Sequence, residues 1–368
     1  MKIDNSLTAG IFGPSHAPAF PISGIGSLPH HNVDSALEYS FKHSLPYLPQ
    51  IPLRNPWEYM IAQCLEGLPG IQAERDGTVL LDIDVWHSRA NQMNQSLDRA
   101  FEKSDFERFE PSAATSSSWQ PFVWELEDRK VSVAKIQLAG PFTSQYALRL
   151  SDQSKPDKYP DLCSQIFRML LARALAMTLR LKSIGVVPVF FLDEPGLFGI
   201  SGTHPKAIMG LQELKVTIQT LQKAGAVVGL HCCGNTDWKT ILQLGLDIIS
   251  LDVVLSLEKF LREIGTQPEM ILAIRSGAQR LSLGVIPTSM FNISLQSVSS
   301  AALFEILCES VRKGVEGTRE NEKEFLKTVL RQSLYTPACG LAYHTTQDAE
   351  VVLDLLAEFQ VHARSGAM

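Results

Sequence analysis

The chain has 368 residues, of which 45% are hydrophobic and 20% charged, with a formal net charge of -6. At about 150 residues per domain that length fits two domains or one large α/β barrel, and the apolar content with low net charge excludes disorder as the main state. The mild acidity argues against a nucleic-acid binder held by phosphate contacts. The longest apolar stretch, residues 185–192, ends at Asp193, well short of the roughly 18 apolar residues of a membrane span. Residues 1–20 show neither a basic n-region nor an apolar h-region, and six cysteines are too sparse for a disulfide scaffold. The expected setting is therefore the cytoplasm, with no nucleic-acid or membrane partner.

In chain order, strands are predicted at 21–27 and 47–51. The stretch 72–127 fits the pattern less well: 79–85 reads as a strand, 94–109 as a charged helix and 112–118 as a Ser/Ala/Thr loop. It is read as an insertion, with room for a hairpin. Short apolar runs at 131–138, 186–192, 226–230, 247–251, 280–286 and 334–337 follow, several of them rich in Val and Ile, as strands buried on both faces tend to be. Amphipathic segments at 162–184, 206–224 and 301–313 lie between them. Strand, helix, strand in that order means βαβ units and a parallel sheet. With the two early strands the count reaches eight, so the expected fold is α/β, a closed (β/α)8 TIM barrel with an insertion between its second and third strands. One such domain would span residues 1–368. No Gly-x-Gly-x-x-Gly fingerprint opens a helix, which disfavours a dinucleotide-binding sheet.

A barrel builds its active site at the C-terminal ends of its strands, and polar residues follow the predicted strands here: Asp193-Glu194-Pro195, His231-Cys232-Cys233-Gly234, Asp252 and Cys339-Gly340. His231 and Cys233 share a face at a strand end, and imidazole with thiolate suits zinc. Cys339 can add a second thiolate and Asp252 an oxygen. The alternative at this point is that these cysteines are small buried core residues, as free cysteines usually are. Asp193 and Glu194 are adjacent carboxylates: either one enters the barrel mouth as an acid, base or ammonium binder, or both cap the following loop. His30 and His31 either line the mouth or are solvated.

Gly26-Ser27-Leu28-Pro29, Leu138-Ala139-Gly140-Pro141, Asp193-Glu194-Pro195, His231-x-Cys233 and Pro337-Ala338-Cys339-Gly340-Leu341 resemble, in order, the motifs of the catalytic C-terminal barrel of cobalamin-independent methionine synthase. More broadly they resemble the superfamily shared with uroporphyrinogen decarboxylase and corrinoid-linked methyltransferases. The resemblance covers roughly residues 21–344. It implies a zinc ion held by His231, Cys233 and Cys339, with Asp252 where the family has a glutamate ligand. It also implies that Asp193 holds a substrate amino group and that Gly26 and Ser27 contact its carboxylate. The implied activity is methyl transfer to a small thiol such as homocysteine, from methyltetrahydrofolate or from a methylated corrinoid on a partner protein.

The sequence departs from the family at three places. Ala62 falls where the family carries a glutamate for the substrate amino group, Ala147 where it carries a tryptophan for the folate ring, and Gly284-Val285-Ile286-Pro287 lacks the acidic residue near its end. The metal motifs are complete while both organic sites are altered. Alternative readings are a decarboxylase of the uroporphyrinogen type, for which Arg54 and Arg275 are the suggestive arginines, and a non-catalytic barrel that binds a thiol or corrinoid.

Overall fold

In the computed structural model, which describes residues 20–198, 205–288, 298–318 and 320–368, six of the predicted strands form one all-parallel sheet. These are β3 (Val133–Ala139), β5 (Val187–Asp193), β6 (Val227–His231), β7 (Ile248–Asp252), β8 (Arg280–Ile286) and β9 (Ser333–Pro337), in that spatial order. The helices between them begin and end within a residue or two of the amphipathic segments: Pro160–Ser183, Pro205–Lys223 and Ser300–Val315.

The expected closed eight-stranded barrel is not formed: the sheet is a curled one of six strands. The segments at 21–27 and 47–51 pair only through single parallel bridges, Ile22 with Tyr335, Tyr47 with Lys135 and Ser27 with Gln50. Proline explains the difference. Pro21, Pro46, Pro49 and Pro52 punctuate both segments, and each lacks the N–H a ladder needs.

A separate three-stranded sheet joins β1 (Ile71–Ala73), β2 (Val79–Leu81) and β4 (Arg149–Leu150). β1 and β2 pair antiparallel as a hairpin and β4 adds in parallel to β2. The strand predicted over 79–85 stops at Leu81 because Asp82 caps the next helix, its side chain accepting from the N–H groups of Asp84 and Val85. That helix, Ile83–Lys103, starts well before the predicted 94–109.

Strand alternation sorts the two faces of the curled sheet. Ala134, Ile136, Leu138, Phe190, Leu192, Val228, Leu230, Ile249 and Leu251 join the main core under the helices. Val133, Val189, Phe191, Val227, Ile248 and Leu334 form a second, inner apolar cluster with Leu45. The same alternation carries the inner face onward to polar residues at the strand ends: Lys135 and Gln137 on β3, Asp193 on β5, His231 on β6, Ser250 and Asp252 on β7. All of them are buried.

Among the described residues, Pro160–Ser183 is long and apolar enough to cross a membrane by length and composition, and it is mostly buried inside the protein. It is a core helix. The residues read for a targeting segment, 1–20, lie outside the described part except for Phe20.

Candidate metal centre

β5, β6 and β7 run in register at their C-terminal ends, so that Asp193 pairs with His231 and His231 with Ser250. This places the His231 ring 4% exposed on the inner face. Its Nδ1 lies 2.9 Å from the Ser250 hydroxyl. Its Nε2 is buried and makes no hydrogen bond of ordinary distance and angle among the described residues, with the Cys339 thiol as its neighbour.

Cys233, just beyond the end of β6, and Cys339, just beyond β9, complete the group. The ligand atoms of His231, Cys233 and Cys339 lie within 4.8 Å of one another, close enough to hold a metal ion. The hydrogen bond from Cys339 holds the Cys233 thiol below its ordinary value against the opposing effect of burial. The same bond and burial push Cys339 up to about 12, although His231 draws it down. Cys339 reaches the group because Gly340 lies against Ser27, where a Cβ would come 2.0 Å from the hydroxyl oxygen, and because Leu341 N–H donates to the Ser27 carbonyl at 2.7 Å. The predicted pair Gly26 and Ser27 is therefore adjacent to the loop that carries the Cys339 thiol. Gly26 itself packs on the Gln137 and Gln50 side chains.

Asp252 is not part of the close trio. Its Oδ1 accepts from the N–H groups of Val254 and Leu255 at 2.7 and 3.0 Å, capping the turn that follows β7. Burial raises its carboxyl against the pull of those donors and of His231.

The adjacent carboxylates divide the two readings between them. Asp193 enters the inner face, with Oδ1 buried and unpartnered among the described residues. Burial raises its pKa, while His231 and Lys135 lower it. Glu194 turns to the other side. Its oxygens accept from the Phe142 N–H at 3.1 Å, the Thr143 N–H at 2.7 Å and the Thr143 hydroxyl, capping the helix Pro141–Ala147. Gly140 admits this close approach, since a Cβ there would meet the Glu194 carboxylate at 2.0 Å. Burial still pushes Glu194 up to about 7.

Sequence reasoning missed Ser250, Lys135 and Ser282. Lys135 is fully buried, donates to the Ile25 carbonyl at 2.6 Å and to Gln137 Oε1 at 3.1 Å, and sits 4.9 Å over the Phe191 ring. Burial lowers it to about 8, opposed by Asp193. The Ser282 hydroxyl is buried without a partner among the described residues. A lysine inside a predicted apolar strand is a legible signal, and so is a serine at register with a candidate ligand.

Three of the remaining cysteines, Cys232, Cys64 and Cys163, are buried. Cys232 is buried in the main core and its thiol donates to the Gly234 carbonyl at 3.4 Å; Cys64 and Cys163 hydrogen-bond to nearby carbonyls. His30 is buried against Tyr39, with ring centroids 5.4 Å apart, and His31 is exposed. Ala147 is exposed beside Tyr146, which is 74% exposed and stacks parallel to Phe142. Ala62 is fully buried.

A comparison with protein-family models matches none of them, and a comparison with curated proteins finds no similar sequence. What the site can do rests on its own geometry and on the motifs its residues carry.

Proposed function

We propose that the protein is a zinc-dependent methyltransferase acting on a small thiol, with His231, Cys233 and Cys339 as the protein's ligands. The observation that carries the reading is the buried Nε2 of His231 beside two thiols, while its Nδ1 is held by Ser250. Two thiolates and an imidazole are a donor set suited to zinc, and three protein ligands leave a position for a substrate. When bound, zinc supplies the Lewis acidity that lets a ligating thiol lose its proton at neutral pH.

The chain's own residues supply the rest. Ser250 fixes the ring plane and the tautomer of His231. Asp193 offers an unpartnered carboxylate oxygen on the same face, where a substrate ammonium would satisfy it. Lys135 places a positive charge near Asp193 and keeps that carboxylate more acidic than burial alone would. Gly26 and Ser27, next to the Cys339 loop, are placed to meet the rest of the substrate. Glu194 acts as a positioning residue that pins the loop after β3.

The decarboxylase alternative lacks support, because the arginines it would need are engaged elsewhere: Arg54 with Glu58 at 3.4 Å and Arg275 with Glu320 at 3.2 Å. The test is elemental analysis of protein purified without chelator, beside Cys233→Ser and Cys339→Ser variants, followed by homocysteine methylation with methyltetrahydrofolate and, separately, with methylcobalamin. One zinc per chain, lost in both variants, is expected. A metal-free wild type would overturn the metal centre, and zinc with no turnover on either donor would favour a non-catalytic thiol-binding role.

A further inference from the structure

The helix Ile83–Lys103 presents Arg89, Gln92, Met93, Ser96 and Arg99 along one side, at the three-and-four spacing that brings helical residues together. With Arg108 from the turn Glu107–Phe109 they line a cavity of about 230 Å³. None of these residues belongs to the loops that carry His231, Cys233 and Cys339, so the cavity and its chemistry are independent of any metal held there.

Ser96 is 5% exposed, lines this cavity, and its hydroxyl has no hydrogen-bond partner among the described residues. A serine inside a helix ordinarily bonds back to the carbonyl four residues earlier, and a buried hydroxyl left unpaired is costly. The hydroxyl lies buried and unpaired in the wall of the cavity. Three arginines, Arg89, Arg99 and Arg108, line the same cavity. Among the described residues, no carboxylate lies within ion-pair distance of Arg89, Arg99 or Arg108, whereas Arg168 pairs with Asp98 and Arg173 with Glu66. Asp98 and Glu66 are thus taken up by arginines outside the cavity.

We propose that this cavity binds a small phosphate monoester, its terminal oxygens held by Arg89, Arg99 and Arg108 and accepting a hydrogen bond from the Ser96 hydroxyl. A single carboxylate would leave most of the positive charge uncompensated. A phosphate monoester brings about -1.5 to -2 charge and three acceptor oxygens, which the guanidinium fork matches in shape. Met93 and the neighbouring Pro69 give the apolar part of a compact ester a surface to rest on. A nucleic-acid backbone fits less well, because the chain as a whole carries a formal net charge of -6.

The test is calorimetric titration of the full chain at low ionic strength with inorganic phosphate and with glycerol 3-phosphate. The comparison is with Arg99→Gln, the double variant Arg89→Gln/Arg108→Gln, and Ser96→Ala. Saturable binding of one glycerol 3-phosphate per chain is expected, weakened about tenfold or more by either arginine variant and several-fold by Ser96→Ala. The arginines are exposed, so their replacement leaves folding intact, as a thermal melt would verify. Absence of saturation, or binding equal in wild type and all variants, overturns the site. Tighter binding of a single-stranded oligonucleotide through the same arginines overturns the assignment to a small molecule.

Discussion

His231 and Ser250 face each other across β6 and β7, in register, with the ring Nδ1 2.9 Å from the serine hydroxyl. A metal-binding histidine is only as well aimed as the partner of its other nitrogen. Ser250→Ala should therefore weaken zinc retention about 10- to 100-fold without removing a ligand. Competition against a chromophoric chelator measures it, and an unchanged affinity would mean that the ring is oriented by packing alone.

Thiol chemistry gives an independent reading of the same site. With zinc bound, Cys233 and Cys339 should resist iodoacetamide, and both should alkylate once a chelator has removed the ion. Cys64, pushed up to about 12 by burial, and Cys163 and Cys232, each pushed up to about 11, should stay unmodified in either state. Peptide mapping by mass spectrometry decides. Equal labelling of Cys233 and Cys339 before and after chelation would count against them as ligands.

Lys135 makes stability depend on pH in the alkaline range. Burial lowers it from 10.5 to about 8, so between those values the unfolded chain holds more protons than the folded one. Stability from this group rises with pH across that window, is complete above pH 10.5 and is lost as pH falls through 8. Lys135→Met should flatten that rise in urea-denaturation midpoints compared between about pH 7.5 and about pH 10. A profile identical to wild type would show that the lysine titrates normally.

The donor is testable at Ala147. The family resemblance places a folate-stacking tryptophan there, and the position is exposed beside the outward Tyr146. Wild type should use methyltetrahydrofolate poorly. Ala147→Trp should lower its KM by up to about tenfold, since stacking adds about 0.5–1.5 kcal/mol beyond buried area. Efficient turnover of wild type at micromolar folate would restore that molecule as the physiological donor.

The parallel strands were legible because each is a short apolar run ending in a polar turn, and the candidate ligands because they stand at those ends. The segments around Ile22 and Tyr47 carry the same apolar content, yet Pro21, Pro46 and Pro49 deny them a ladder, and hydrophobic pattern alone does not register a missing N–H. The division of labour between Asp193 and Glu194 follows from alternation along β5: Val189 and Phe191 face inward, so Asp193 does too and Glu194 does not. Ser250 was hidden for a different reason. Its role depends on the register between two strands, which no single strand encodes. The Arg89–Arg99–Arg108 cavity was likewise invisible, because the helix that builds it begins earlier than its charge pattern indicates.

His231 and Cys233 leave the sheet at its middle, after β6, while Cys339 leaves it at the edge, after β9. An ion shared among them is a cross-link between distant parts of the chain, closing a long loop that contains β7, β8 and β9. Such a clasp takes most of its effect from the unfolded ensemble, whose freedom it restricts in proportion to the logarithm of the loop it closes. The strands inside that loop would then open together with release of the ion, so that the same atoms governing the chemistry of the site also set how long this half of the sheet stays shut.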